Sequence, residues 1–410
     1  MDTELHTPSE ALAQSVARLA AARPVVVDVL PAREVTDHHA AGGVSHAGPP
    51  ITPSRMCPPM RAALGAALTL EGVAGTPEEA IALVESGDIP LVPNHGIGGV
   101  GPMSGIVTGS MPVWVTRDEA TGKTAWAPLN EGSGRVLRYG ADGPDVLERL
   151  AWMRDTLAPA LRVALDRTGP LDLLDLHVRS LTDGDEAHHR TESGTALSLV
   201  KLAPGLEDAD PAVPRFIATN GQWFLNLAMV FSKLALDCAR DVEGSPLLTA
   251  IARNGVEVGI QVSGTGDQWF VGPAAMPGPA RLFAGYSEAD MNRDLGDSAI
   301  VETYGLGAIA VAASPEAAFN CGLDPEDREA ITTELRQIAA GESPDILLPN
   351  GRGAILGIDA LAVARTRISP PVHTGIAHVQ PGVGQIGAGI THPPIEAFDE
   401  FAALVSPAVA

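Results

Sequence analysis

The chain has 410 residues, 45% of them hydrophobic and 19% charged, which is the composition of a folded protein with room for two or three domains. With 50 acidic against 27 basic residues the formal net charge is −23, a field that opposes nucleic acid and anionic membranes; an anionic ligand would need a locally basic or amide-lined pocket. Residues 8–22 predict an amphipathic helix opened at Pro8-Ser9 and closed before Pro24, followed by a short β-branched strand from Val25 to Leu30. Turn chemistry fills residues 31–59, and helices follow over 60–74 and from Thr76-Pro77 to about Ser86, the second with Pro at its first position and acids in its first turn. Leu91-Val92-Pro93 leads into a glycine-rich loop over 94–105. Residues 106–116 alternate like a strand, and Thr121-Gly122-Lys123 turns the chain back through 124–128.

Helical periodicity then dominates 144–167, 171–181, 193–203 and 221–240, the last a long amphipathic helix. Strands return at Glu257–Val262 and Trp269–Val271; Ala308–Ala313 is a small apolar strand or helix, 325–340 is helical, and 353–395 is loop-rich and dense in glycine and proline. The expected fold is α+β or mixed α/β and multidomain: an N-terminal α/β domain over 1–142, a mainly helical segment over 143–250 and a C-terminal α/β domain over 251–410. Cys57, Cys238 and Cys321 are odd in number, far apart and without a C-x-x-C, so neither a zinc knuckle nor a disulfide framework is indicated and a reducing cytoplasm fits. The start, Met1 to Pro8, is polar and acidic with no secretory core, and no apolar run approaches the roughly 18 residues that would span a bilayer.

Two G-x-G-x-x-G strings occur, Gly96-x-Gly98-x-x-Gly101 and Gly382-x-Gly384-x-x-Gly387. A dinucleotide site needs a strand before and a helix after; Pro102 follows the first and Pro393-Pro394 the second, so a nicotinamide enzyme is the weakest reading. Tight turns, or backbone amides that cradle an anion without net positive charge, suit them better. Several histidines lie in turn-rich segments, among them His46, His95, His373 and His378; an accessible imidazole titrates near neutrality and can protonate an amide leaving group. Asp185-Glu186-Ala187-His188-His189-Arg190 gathers acids, imidazoles and a cation, and a helical register there would put Asp185 beside His188 or Glu186 beside Arg190. It lacks the spacing of a zinc motif, and neither metal nor cofactor is expected. Ser298 stands next to Asp297 with no histidine beside it, which leaves a nucleophilic triad unsupported.

Taken together, His46-Ala47-Gly48-Pro49-Pro50, Val100-Gly101-Pro102-Met103-Ser104-Gly105-Ile106, Ser110-Met111-Pro112-Val113, Asn130-Glu131-Gly132, Gly184-Asp185-Glu186, Phe224-Leu225-Asn226-Leu227-Ala228-Met229, Gly296-Asp297-Ser298-Ala299-Ile300, Thr374-Gly375-Ile376-Ala377-His378 and Gly384-Gln385-Ile386-Gly387-Ala388-Gly389 resemble one family. It is the AllG-type family, large subunits of bacterial oxamate carbamoyltransferase from anaerobic allantoin breakdown, and the matched blocks run in order from about residue 20 to 395. The resemblance implies a multidomain α/β protein in a homo- or hetero-oligomer with partner subunits, and phosphorolysis of oxalurate to oxamate and carbamoyl phosphate. It also implies a fold unlike that of aspartate and ornithine transcarbamylases, whose Ser-x-Arg-Thr-Arg loop has here only Ala364-Arg365-Thr366-Arg367 as its nearest string.

The chain departs from the family pattern at Gly96, Thr191, His373 and Val379, where the family carries His, Asn, Asn and Lys, so another ureido or amide substrate stays open. Carbamoyl transfer asks for a polarised carbonyl, a held phosphate or carboxylate, and a proton for the leaving amide. The catalytic candidates are His46, His95 and His378 as acids, with Asp297 and Glu302 orienting an imidazole. Candidates for binding a small anionic substrate with phosphate or carbamoyl phosphate are Asn94, Gly98, Gly101, Asn130, Glu131, Arg138, Asp185, Glu186, His188, Arg190, Ser298, His373 and Gln385. A non-catalytic scaffold subunit completing a partner's active site is the alternative.

Overall fold

The computed structural model describes residues 9–320 and 327–405; Met1–Pro8 and Cys321, both used in the sequence reading, lie outside them. The Ser9 hydroxyl accepts the Leu12 N–H and caps the helix Glu10–Ala21, as its position before an amphipathic run predicts. Pro24 then begins the strand Pro24–Pro31. It is an inner strand of a four-stranded antiparallel sheet in the spatial order Thr124–Pro128, Pro112–Asp118, Pro24–Pro31, Leu171–Asp172. Asp118 closes the predicted hairpin, its carboxylate accepting the Thr121 N–H and hydroxyl and, from the neighbouring strand, the Arg23 N–H.

The helical middle is present as the helices Pro144–Trp152, Ala158–Thr168, Leu173–Thr182, Glu192–Leu202, Ala212–Thr219 and Trp223–Cys238. A π turn over Met153–Leu157 joins the first two, just before Pro159, which has no N–H to give to the carbonyl four residues back. The last helix differs from its sequence reading: it is not amphipathic but buried on all sides, from Trp223 through Leu236. Its polar residues are satisfied inside. Lys233 Nζ donates to Asp237 one turn on, and Asn226 donates to the Pro128 carbonyl and accepts from Asn130. Trp223 meets Trp114 of the sheet edge-on, 5.5 Å between ring centres.

A second antiparallel sheet is ordered Leu295–Gly296, Leu248–Asn254, Glu257–Val262, Phe270–Pro273, and the C-terminal helix Ile395–Val405 covers it through Phe401 on Phe270. A third is ordered Ala280–Leu282, Gln385–Thr391, Val372–Ala377. The segment 353–395 is therefore not loop-rich: it holds the strand Gly353–Ile358, the helix Ala360–Thr366 and two strands of the third sheet. Gly382 and Gly384 turn the chain between those two strands with positive φ, while other glycines mark close packing. A Cβ on Gly375 would strike the Tyr139 hydroxyl, and one on Gly387 the Arg281 carbonyl of the adjacent strand.

The fold is α+β, with several small sheets and helices sharing their cores. One hydrophobic cluster runs from Leu12 through the helical middle to Ala377, and a second gathers residues from Leu248 to Phe401. Both G-x-G-x-x-G strings lack the strand–turn–helix context of a dinucleotide site. The first caps a single 3₁₀ turn, Asn94–Ile97, and the second lies at the connection between the strands Val372–Ala377 and Gln385–Thr391. Among the described residues no helix is long and apolar enough to cross a membrane.

Candidate functional site

Two loops from the N-terminal third meet on one carboxylate. Asp297, fully buried ahead of the short helix Ile300–Tyr304, accepts the Gly48 N–H at 2.8 Å on one oxygen. The other oxygen takes the Gly101 N–H and Asn94 Nδ2, each at 3.0 Å. Asn94 also donates to the Gly105 carbonyl, so the glycine-rich loop is tied to itself and to Asp297. Burial pushes the Asp297 carboxyl up to about 6, against the pull of those donors. His95 lies beside it, Nε2 at 3.8 Å, packed edge-on against Trp269; burial, with the charges of Lys233 and Arg240, holds its pKa well below the usual range. His46 is buried in the short parallel pair Val44–His46 with Leu91–Pro93, Nδ1 on the Ala47 carbonyl, and burial lowers it to about 4. His46 and His95 are both buried within this knot.

A second cluster does open outward. The loop 185–190 is not helical: Ala187 has φ +74°, which wraps the backbone around the Glu186 carboxylate so that it accepts the N–H groups of His188, His189 and Arg190. The expected neighbours change accordingly. Arg190 pairs with Asp185, not Glu186, and the Asp185 carboxyl, pushed up to about 7 by burial, also accepts from Ser193 and Gly194 at the start of the next helix. Glu186 reaches across to His373 Nδ1 at 3.2 Å. Burial alone would raise its pKa, but the charge and hydrogen bond of His373, with His188, bring it down to about 2. Beside it, Glu302 accepts His188 Nδ1 at 2.8 Å, the Ala308 N–H at 3.0 Å and the His373 N–H at 3.2 Å. A carboxylate only accepts, so Nδ1 of His188 carries the proton and Nε2 is left for a ligand.

His188, His189 and His373 line a cleft of about 450 Å³, its open mouth included, together with Arg138, Tyr139, Gln222, Ser298, Thr374 and Gln385. Its lining contains no Asp or Glu, in a chain of net charge −23. Arg138 is buried; one Nη donates to the Gly132 carbonyl at 2.6 Å, while Nε and the other Nη have no hydrogen-bond partner. Glu131 is held close by the N–H groups of Leu137 and Arg138, and burial raises its pKa against the pull of Arg138 and Arg149. Under Ser298 and Thr374 lies a buried ion pair, Arg253 Nε to Asp294 at 3.0 Å, with Asp294 also accepting the hydroxyls of Thr374 and Thr391.

Of the sequence candidates, Arg138, His188, Ser298, His373 and Gln385 line this cleft, with Glu186 and Glu302 directly behind its histidines. Asn94, Gly98, Gly101 and Asp297 belong to the knot or its loop. Asn130 ties its loop to Asn220 and Asn226, and Asp185 with Arg190 braces the loop from outside. His378 sits at the far end of the third sheet, accepting the Gln380 N–H, with Nε2 3.7 Å from Asp290. His189, Tyr139, Gln222 and Thr374 were not among the candidates; His189 lay in the polar string and Thr374 in a family block, while Tyr139 and Gln222 carried no signal. Burial lowers His189 to about 4. Among the described residues no three His, Cys, Asp or Glu side chains gather as a metal site.

Residues 89–298 match the family model described as oxamate carbamoyltransferase subunit AllG. Oxamate carbamoyltransferase subunit AllG of Escherichia coli K12 is 38% identical over 403 residues, 96% of either chain. The protein YahG of the same organism is 38% identical over 396 residues, covering 94% of this chain and 84% of YahG. The crystal structure of a conserved protein of unknown function from Enterococcus faecalis V583 superposes with a TM-score of 0.94 at 35% identity, covering 98% of this chain and all of that one.

Proposed function

The chain belongs to the family of oxamate carbamoyltransferase subunit AllG, and on that premise we propose that it is a carbamoyl-transfer subunit working with partner subunits, as its relative's name describes. The reaction is phosphorolysis of oxalurate, or of a related ureido or amide compound, to carbamoyl phosphate and an amide. The observation that carries this reading is the histidine cleft: an acid-free lining in an acidic protein, a buried arginine with two unpartnered nitrogens, and two imidazoles each held by a carboxylate.

In the proposed step a phosphate oxygen forms a bond to the ureido carbonyl carbon, the bond from that carbon to the amide nitrogen breaks, and the nitrogen takes a proton. Arg138 holds the anion, because a guanidinium in a low-dielectric wall binds phosphate or carboxylate far better than one in water. His188, fixed in one tautomer by Glu302, protonates the leaving nitrogen; the carboxylate stabilises the imidazolium form that precedes the transfer. His373, held by Glu186, faces the same cleft and stands where the family pattern carries Asn, which makes it the residue for substrate choice.

Assay of carbamoyl phosphate from oxalurate and inorganic phosphate, with the purified chain alone and with its partner subunits, tests the reading. Product from the assembled enzyme is the expected result. Its absence with oxalurate and with other ureido acids alike overturns it.

A further inference from the structure

Behind Arg138, on the side away from the histidines, lies a second chamber of about 560 Å³, its mouth included. Pro102 and Arg138 belong to both linings, but the rest of this one differs in kind: Ile106, Met111, Leu129, Leu150 and Met153 make it largely apolar. Two of its polar groups have atoms that lack a hydrogen-bond partner. One is Arg138, 5% exposed, with Nε and one Nη unpartnered; the other is Ser110, 6% exposed, whose hydroxyl has no hydrogen-bond partner. A buried guanidinium and a buried hydroxyl left unpaired in an apolar wall are costly unless something completes them. The cations and acids around them narrow what that is. Arg154 at the rim is taken up by Asp155 through two hydrogen bonds, and Glu131, which shares the chamber wall, keeps both oxygens on backbone N–H groups. One cation with the Glu131 carboxylate in the same wall suits a monoanion. A planar carboxylate fits a guanidinium fork, and apolar walls ask for a hydrocarbon body.

We propose that this chamber is a binding site for a small aliphatic carboxylate, its head on Arg138 and Ser110 and its chain among Ile106, Leu129, Leu150 and Met153. The proposal rests on the unpaired groups of Arg138 and Ser110 and on the apolar wall around them; it shares Arg138, but no other polar group, with the carbamoyl-transfer reading.

Calorimetric titration of the full chain with formate, acetate, propanoate, butanoate and 3-methylbutanoate tests it. Burial of each further methylene should tighten binding by about fourfold until the chamber is full. Ser110→Ala should weaken every member of the series by a similar factor, because it touches only the head. Leu150→Trp fills the chamber and should abolish binding of 3-methylbutanoate while leaving binding of inorganic phosphate, measured in the same samples, unchanged. No binding of any of the five acids, or affinity independent of chain length, overturns the proposal. So does loss of phosphate binding in a folded Leu150→Trp chain, which would make the chamber a part of the cleft. Failure of wild-type chain to bind phosphate at all, with the carboxylate series intact, counts against the carbamoyl-transfer reading and leaves this one standing.

Discussion

The knot at Asp297 and the pair of carboxylates behind the histidine cleft are built from the same material and end in opposite roles. Each places fully buried carboxylates among loops from distant parts of the chain. Asp297 spends both oxygens on two backbone N–H groups and the Asn94 amide, so it fixes the course of the chain. Glu302 and Glu186 also take backbone donors, but each keeps an oxygen for an imidazole that borders open space. Their pKa values diverge accordingly: burial wins at Asp297 and raises it, whereas at Glu186 the charge and hydrogen bond of His373, the charge of His188 and the Arg190 N–H together outweigh burial and lower it. A buried acid bonded to main chain is a clasp. One bonded to an exposed-edged imidazole holds a tautomer and supports proton transfer.

The largest test of that contrast is His188→Ala in the assembled enzyme. Turnover should fall by roughly 10²- to 10⁴-fold, measured under conditions where urea unfolding shows the variant folded, because the change also takes a partner from the buried Glu302 carboxylate; a rate within about tenfold of wild type would move proton transfer away from this pair. Next is Asp297→Ala. It strands the Gly48 and Gly101 N–H groups and the Asn94 amide, each worth about 1–3 kcal/mol when left unsatisfied, so urea unfolding should show a loss of at least about 3 kcal/mol. Unchanged stability would mean that the loops hold their course without the clasp.

The smallest and most discriminating test is the pH dependence of two isosteric variants. Asp297 has a folded pKa of about 6, above its ordinary value, so the native state binds the extra proton and wild-type stability falls as pH rises from about 4 to 6. Asp297→Asn lacks that titration, and over this window the stability difference should shift in its favour by up to about 3 kcal/mol. Glu186 has a folded pKa of about 2, below its ordinary value, so its contribution is full above about pH 4.5 and is lost as pH falls through 2. The deficit of Glu186→Gln should therefore be greatest above pH 4.5 and fade on acidification. Denaturant titrations at a series of pH values decide both, and parallel curves for the two variants would erase the distinction between the regions.

Much of this was legible in the sequence. The capped first helix, the hairpin after Pro112–Asp118 and the helical middle follow from caps, turns and periodicity, which act over a few residues. The polar string from Asp185 to Arg190 and the candidates Arg138, Glu302 and His373 were visible as residue types in unusual company. Their geometry was not. A helical register over 185–190 pairs the wrong acid with Arg190, because nothing local announces that Ala187 takes a left-handed conformation to enclose Glu186. The strand Leu248–Asn254 was not predicted, and the burial of its Arg253 depends on Asp294, 41 residues further on. The helix Trp223–Cys238 reads as amphipathic because its Asn and Lys look like a solvent face, until Asn130 is brought to Asn226 and Lys233 turns to Asp237 within the helix.

By itself, then, the sequence determined the class of fold, the local elements, the acidic field that demands a local anion pocket, and the family whose blocks it carries in order. Only the tertiary structure decided which imidazoles do the work proposed here. His188 meets Glu302 across 114 residues and His373 meets Glu186 across 187, and both border the cleft, while His46 and His95, equally promising as letters and equally buried, are not in its lining. The reason is physical: a proton's readiness to move is set by burial and by what the other ring nitrogen touches, and both are properties of contacts that no local stretch of chain contains.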